Sequence, residues 1–221
     1  MVKQPNNNHA QVIAISLALS FAQLTTACNS ASEDAKKRIE PVYDKTSGRL
    51  TLLKYDSNSN GKVDTWSYMD GARVVRIEID KDEDGNIDRW EYYGANQKLE
   101  KVGFSRANDG KEDAWSHFNA DGLLATIDIS TKRDGTVDRV EYYEKDVIAR
   151  AEEDTDGDGK LDKWETYAGG HLVSVAFDTL HRGSPDRRLL YTPDGNARLE
   201  IDSKGDGRFV AVSGQPQAKK K

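Results

Sequence analysis

A single cysteine, Cys28, stands in 221 residues, so no internal disulfide can staple this chain. Hydrophobic residues make up 36% against 32% charged, with a mean hydropathy of -0.78. That is too polar for a deep globular core and suits a thin sheet built from repeats, each touching mainly its neighbours. Histidine is scarce: of four, His9 lies in the leader and His117, His171 and His181 occupy non-equivalent places. No GxSxG, HExxH or phosphate-binding glycine loop accompanies them, and the expectation is that the chain is not an enzyme. Basic residues are the minority, 32 Lys and Arg against 38 Asp and Glu, a formal net charge of -6 that argues against a nucleic-acid partner.

Glycine and aspartate, in contrast, recur with a period. Gly61, Gly85, Gly110, Gly135, Gly159, Gly183 and Gly207 follow one another every 24 or 25 residues, and all but the last have aspartate three positions later. The chain is a tandem repeat. Two copies, DKDEDGNIDRWE (Asp80 to Glu91) and DTDGDGKLDKWE (Asp154 to Glu165), carry acids at the first, third, fifth, ninth and twelfth positions around the glycine. Calcium takes six to eight oxygens at roughly 2.3–2.6 Å, so a short segment must curl round it and offer alternate side chains. In the first of these copies Asp80, Asp82 and Asp84 face inward, Asn86 offers its carbonyl, and Asp88 ligates directly or through water. Asp154, Asp156, Asp158, Lys160 (through its carbonyl) and Asp162 hold the equivalent places in the other. A third segment, Asp56 to Ser67, keeps Asp56 and Asp64 but has Asn58 and Asn60 between them. Elsewhere the site is spoiled, by Lys132 near Gly135, by Lys204 near Gly207, and by Leu180 with Arg182 near Gly183, and there the loops read as turns.

These segments resemble EF-hand calcium loops, which implies calcium as cofactor and adds Glu91 and Glu165 as twelfth-position ligands. The flanks do not follow that family. The loop runs into WEYY rather than an amphipathic helix, and Val75, Ile77 and Ile79, like Val173, Val175 and Phe177, alternate at period two. On a strand, residues three apart point to opposite faces, so Glu91 and Glu165 are the weaker members of the ligand set. Loops of the DxDxDGxxD kind without helices resemble those of extracellular repeat proteins, where the glutamate is not required. Trp66, Trp90, Trp115 and Trp164 stand five residues after the glycine, and Met69, Tyr93, Phe118, Tyr143, Tyr167 and Tyr191 eight after it. Asp70-Gly71, Asp121-Gly122 and Asp194-Gly195 then supply tight turns. Each repeat reads as strand, turn, strand, calcium-type loop. The fold expected is all-β, an elongated antiparallel sheet of tandem 24–25-residue hairpins with about twelve to fourteen strands. The GxxDxWxxY pattern with its DG turn also resembles bacterial MORN-like repeats.

The N-terminus resembles a secretory signal, with Lys3 in a polar leader before QVIAISLALSFAQL, a run too short to span a membrane. It ends in LTTAC, similar to a bacterial lipobox with Thr25 where leucine is usual, which implies lipidation at Cys28. The expected organisation is signal peptide 1–27, lipidated N-terminus and linker 28–41, β-repeat domain 42–212 and basic tail 213–221. The function expected is a calcium-binding lipoprotein of a bacterial cell envelope, on the outer membrane or its periplasmic face, serving as a structural or binding module. Two alternatives stand beside it: a carbohydrate- or surface-recognition protein with structural calcium, and an envelope hydrolase with an unrecognised site. Aromatics pointing outward in a row favour the first of these, a pocket joining histidine and carboxylates the second. The expected partners are the membrane and a glycan or protein ligand, with the oligomeric state open.

Overall fold

A computed structural model describes residues 37–212. It is all-β: fifteen strands form one open antiparallel sheet in which each strand pairs only with its neighbours in sequence. They are β1 (Ile39–Tyr43), β2 (Leu50–Tyr55), β3 (Thr65–Asp70), β4 (Arg73–Ile79), β5 (Arg89–Tyr93), β6 (Leu99–Phe104), β7 (Ala114–Phe118) and β8 (Leu124–Ile129). The second half comprises β9 (Arg139–Glu144), β10 (Val147–Glu153), β11 (Lys163–Ala168), β12 (His171–Phe177), β13 (Arg187–Tyr191), β14 (Ala197–Ile201) and β15 (Val210–Ala211). The sheet opens at Ile39, inside the stretch expected as linker. Pro41 gives that stretch a non-strand look, yet β1 is an edge strand, where the missing N–H breaks no ladder bond. Cys28, the signal segment and the basic tail lie outside the described residues.

Short turns and long loops alternate, so all the turns fall on one side of the sheet and all the aspartate loops on the other. At two of the turns the backbone takes the mirror-image geometry that matches strand twist: Lys145 and Asp146 have φ of 52° and 62°, and Gly169 and Gly170 of 56° and 80°. Bulges recur just before these turns, between Tyr68 and Met69, Tyr92 and Tyr93, His117 and Phe118, and Thr166 and Tyr167. Each adds local twist and accommodates one extra residue.

Register assigns every side chain to one of two faces. Trp66, Glu78, Trp90, Gly103, Trp115, Asp128, Val140, Glu152 and Trp164 are successive cross-strand partners and form one row. Beside it Tyr68, Tyr92 and Tyr142 face Arg76, Lys101 and Arg150, whose cationic groups lie 4.4, 4.1 and 3.4 Å from the ring centroids. The other face carries the apolar row Ile77, Val102, Ile127, Ala151 and Val175, one per repeat; Val102 and Ala151 are each 1% exposed. Fully burying a valine is worth about 1.5 kcal/mol or more. Tyr93, Tyr143 and Tyr167 stand on this second face and donate to Glu91, Glu141 and Glu165 at 2.6, 2.8 and 2.8 Å. The tryptophans and these tyrosines, three residues apart, therefore form two ladders on opposite faces.

Candidate metal centre

The seven aspartate loops begin at residues 56, 80, 105, 130, 154, 178 and 202, and share one scaffold of side-chain acceptors and main-chain donors. Asp56, Asp80, Asp154, Asp178 and Asp202 at the first position accept the glycine N–H of their own loop at 2.6–2.9 Å. At the fifth, Asn60, Asp84, Asp134 and Asp158 accept the N–H two residues on at 2.8 Å. At the ninth, Asp64, Asp88, Asp113, Asp138 and Asp162 reach back to the N–H of the second residue. The loops are also chained to each other: Asp80 N–H donates to the Asp64 carbonyl at 2.9 Å, and the same bond joins Ser105 to Asp88 and Asp154 to Asp138. Glycine is needed at the sixth position because φ there is strongly positive, 94° at Gly85 and 86° at Gly159.

Three of the recurring acids are thus occupied by folding the loop, whether or not an ion is bound. The third position discriminates, with Asp82 and Asp156 in the complete copies against Asn58, Ala107, Lys132, Leu180 and Lys204 elsewhere. In those two copies the acids converge: single oxygens of Asp80, Asp82 and Asp88 lie within 4.8 Å of one another, as do those of Asp154, Asp156 and Asp162. Oxygens on opposite sides of one calcium are roughly 4.6–5.2 Å apart, so either trio can share an ion.

The two copies are not equivalent. Asp80 is 4% exposed, and its Oδ1 is sealed from water with no donor, while Oδ2 takes the Gly85 N–H at 2.9 Å. A buried charged oxygen without a partner costs more than the roughly 1–3 kcal/mol of a neutral one, and a cation answers it. Asp154 has both oxygens engaged, by Gly157 N–H at 2.6 Å and Gly159 N–H at 2.8 Å. Burial pushes its carboxyl up, but those two donors and the Lys132 charge outweigh it and hold the group below its usual range.

Other expected ligands are placed differently. Asp84 and Asp158 turn toward the following loop: Asp84 Oδ2 accepts Asn108 Nδ2 at 2.9 Å, and Asp158 groups with Asp156 and His181 within 4.8 Å. The Asn86 amide donates to Asp84 and to the Asn108 carbonyl, and the Lys160 ammonium lies 3.8 Å from Asp158. Glu91 and Glu165 require correction. Both stand on strands and are taken up there, Glu91 by Arg89 and Tyr93, Glu165 by Arg139, Lys163 and Tyr167. With no outgoing helix to swing them inward, they remain on the sheet face. In the first loop Asn58 and Asn60 both donate to Glu83 Oε1, a carboxylate from the next repeat. Glu83, Asn108 and His181 were not legible as site residues, because only the sheet register brings one loop against the next.

Where the third position has lost its acid, basic groups serve the loops. Arg133 Nε lies 3.6 Å from the buried Asp113 Oδ2, and Arg182 donates to the Asp202 carbonyl at 3.2 Å. A groove of about 310 Å³ lies between the fourth and fifth loops, lined by Lys132, Asp134, Glu152 and Asp154 among others, and a much smaller recess between the fifth and sixth joins His181 to Asp158, Asp162 and Asp178. Of the tryptophan row, Trp90 is buried at 8% exposure, while Trp66, Trp115 and Trp164 are part-exposed on their face of the sheet.

No protein-family model and no curated protein matches the chain. Part of the sheet is similar to solved structures. A TarM variant from S. aureus in complex with fondaparinux, alpha-GlcNAc-glycerol and UDP matches over 47% of this chain and 22% of its own, at 16% identity and a TM-score of 0.36. A second TarM structure matches over 45% and 20%, at 14% identity and 0.33. A structure of accessory secretory proteins 1, 2 and 3 from Streptococcus pneumoniae matches over 73% and 23%, at 13% identity and 0.26. This chain spans about a fifth of the length of each. The expectation that the chain is not an enzyme is withdrawn, since missing nucleophile motifs do not exclude catalysis. At these TM-scores no activity transfers from those proteins.

Proposed function

We propose that this protein is a calcium-binding β-repeat module of a bacterial envelope, tethered by lipid at Cys28, whose ion sites stiffen the loop side of the sheet. The observation that supports calcium best is the sealed, donorless Asp80 Oδ1 beside Asp82 and Asp88. An all-oxygen set of three carboxylates suits a hard divalent cation rather than a thiol- or imidazole-seeking one. Each carboxylate also holds the loop's own backbone, so charge neutralised there strengthens the chain of bonds that links one loop to the next. The lipid tether rests on the LTTAC sequence alone.

Calorimetric titration of the protein with calcium chloride tests the first part: binding with a dissociation constant of roughly 10⁻⁴–10⁻³ M is expected of an extracellular module. No heat of binding at millimolar calcium refutes it. Metabolic labelling in a bacterial host tests the second, with fatty acid expected on the wild type and none on Cys28→Ala; an unlabelled, soluble wild type refutes the tether.

A further inference from the structure

The fourth residue of every loop lies in the left-handed region, with φ of 65° at Ser59, 59° at Glu83, 54° at Asn108, 57° at Arg133, 82° at Gly157, 52° at His181 and 72° at Gly205. From that conformation the longer side chains reach the preceding loop, meeting its third and fifth residues in three of the pairs. Glu83 meets Asn58 and Asn60, Asn108 meets Asp82 and Asp84, and His181 meets Asp156 and Asp158. Neighbouring loops therefore interlock in these three pairs, and the entering side chain comes from 23 to 26 residues further along the chain.

At the second loop the entering group is an amide. Asn108 Nδ2 lies 2.9 Å from both Asp82 Oδ2 and Asp84 Oδ2, while its Oδ1 is sealed from water and has no donor. Asp80 Oδ1, 4% exposed as a residue, is the other donorless oxygen of this loop. Oxygens sharing a calcium at roughly 2.4 Å stand about 3 Å apart, so an amide end at 2.9 Å from two carboxylates sits at ligand-to-ligand spacing. A half-turn of the amide exchanges its nitrogen for its oxygen at nearly the same point. Three aspartates leave a calcium short of its six to eight oxygens, and a neutral amide oxygen adds one without a further negative charge between Asp82 and Asp84. Asparagine also tolerates the left-handed backbone better than most side chains.

We infer that Asn108 is a ligand supplied by the following repeat to the calcium site of Asp80, Asp82 and Asp88, so that one ion joins the second loop to the third across the β5–β6 hairpin. This rests on the calcium reading above. Substitution to glycine is the clean probe, because Gly157 and Gly205 already occupy the equivalent place and keep its φ.

The experiment is calorimetric titration with calcium chloride of the full chain carrying Asp156→Ala, which leaves the second loop as the site observed, with and without Asn108→Gly or Asn108→Asp. Expected is a weakening of about tenfold or more for Asn108→Gly, and recovery of affinity in Asn108→Asp, which keeps an oxygen. Amide hydrogen exchange should show calcium protecting residues 105–110 as well as 80–88 before Asn108→Gly, and only 80–88 after it. If Asn108 merely donates to Asp82 and Asp84, removing it frees both carboxylates; unchanged or tighter binding in Asn108→Gly, or no protection of the third loop, overturns the inference while calcium binding stands. No binding in either the parent or the wild type overturns the calcium reading itself, and this inference with it.

Discussion

Arg139 on β9 donates to Glu165 on β11 at 2.7 Å, reaching across the whole of β10 to do so. On the way its other guanidinium nitrogen meets Glu153 at 2.9 Å, and Glu141 lies 3.0 Å away on its own strand. One half-buried arginine thus ties three successive strands on the face that also holds the apolar row. Burial alone would raise the Glu165 carboxyl, but Arg139, Lys163 and Tyr167 hold it at about 2.

The sign of the resulting pH dependence is fixed by that depression. A carboxyl lowered from 4.5 to about 2 on folding contributes stability that is complete above pH 4.5 and is lost as pH falls toward 2. At one pH unit per 1.36 kcal/mol, the contribution at neutral pH is about 3 kcal/mol. Glu165→Gln should therefore lie below the wild type at pH 7 by up to that amount, with the gap closing between pH 4.5 and 2. Denaturant unfolding at several pH values measures it, and parallel curves for the two proteins would show that Glu165 has no such role.

Glu83 provides the carboxylate that Asn58 and Asn60 lack, and Lys62 Nζ approaches it at 3.5 Å. Glu83→Ala should leave both amides without their acceptor and speed hydrogen exchange in residues 57–62, while exchange in the fifth loop stays as it was. Equal exchange in the first loop of both proteins would mean that the interlock carries no weight there.

The period of the glycines, the all-β fold, the hairpin turns and the convergence of one acid trio in each complete loop were legible, because each depends on residues close in sequence. Asp80, Asp82 and Asp88 come together within one tight loop, as their spacing implied. What escaped notice depends on register. Glu83, Asn108 and His181 meet their partners only because a meander of 24–25-residue repeats returns each loop to the side of the last. The same register takes Asp84 and Asp158 toward the neighbouring loop and keeps Glu91 and Glu165 on the sheet. Pro41 concealed β1, since a proline reads as a break until the strand is known to be an edge.

Gly103 stands in the tryptophan row between Trp90 and Trp115 for a different reason from the loop glycines, since its φ is ordinary. A β-carbon there would fall 2.3 Å from Glu112 Oε2 and 2.6 Å from its Cδ. Glu112 lies over the glycine, accepting from Trp115 Nε1 and Tyr92 OH. Gly103→Val should therefore displace Glu112 and destabilise the fold by about 1–3 kcal/mol, despite the valine's better strand propensity. Thermal melts of the variant check the sign, and a stabilised protein would show that Glu112 moves aside without loss.

Calcium should act unequally on the two complete loops. For a site at the tight end of the extracellular range, about 1 mM calcium stabilises the folded chain by about 1.4 kcal/mol, or roughly 3–6 °C for a domain of this size. The second loop holds the donorless Asp80 oxygen, whereas both oxygens of Asp154 already have donors in the fifth. Asp82→Ala should therefore remove the larger share of the calcium-induced shift and Asp156→Ala the smaller. Asp134→Ala is the control with a different signature. Asp134 accepts the Thr136 N–H at 2.8 Å in a loop where Lys132 replaces the third acid, so its loss should lower the melting temperature equally with calcium and with chelator. Melts of the wild type and these three variants under both conditions decide the matter. If chelator leaves the wild-type melt where it was, the aspartates serve only to fold their loops, since their hydrogen bonds to the glycine and flanking amides persist without any ion.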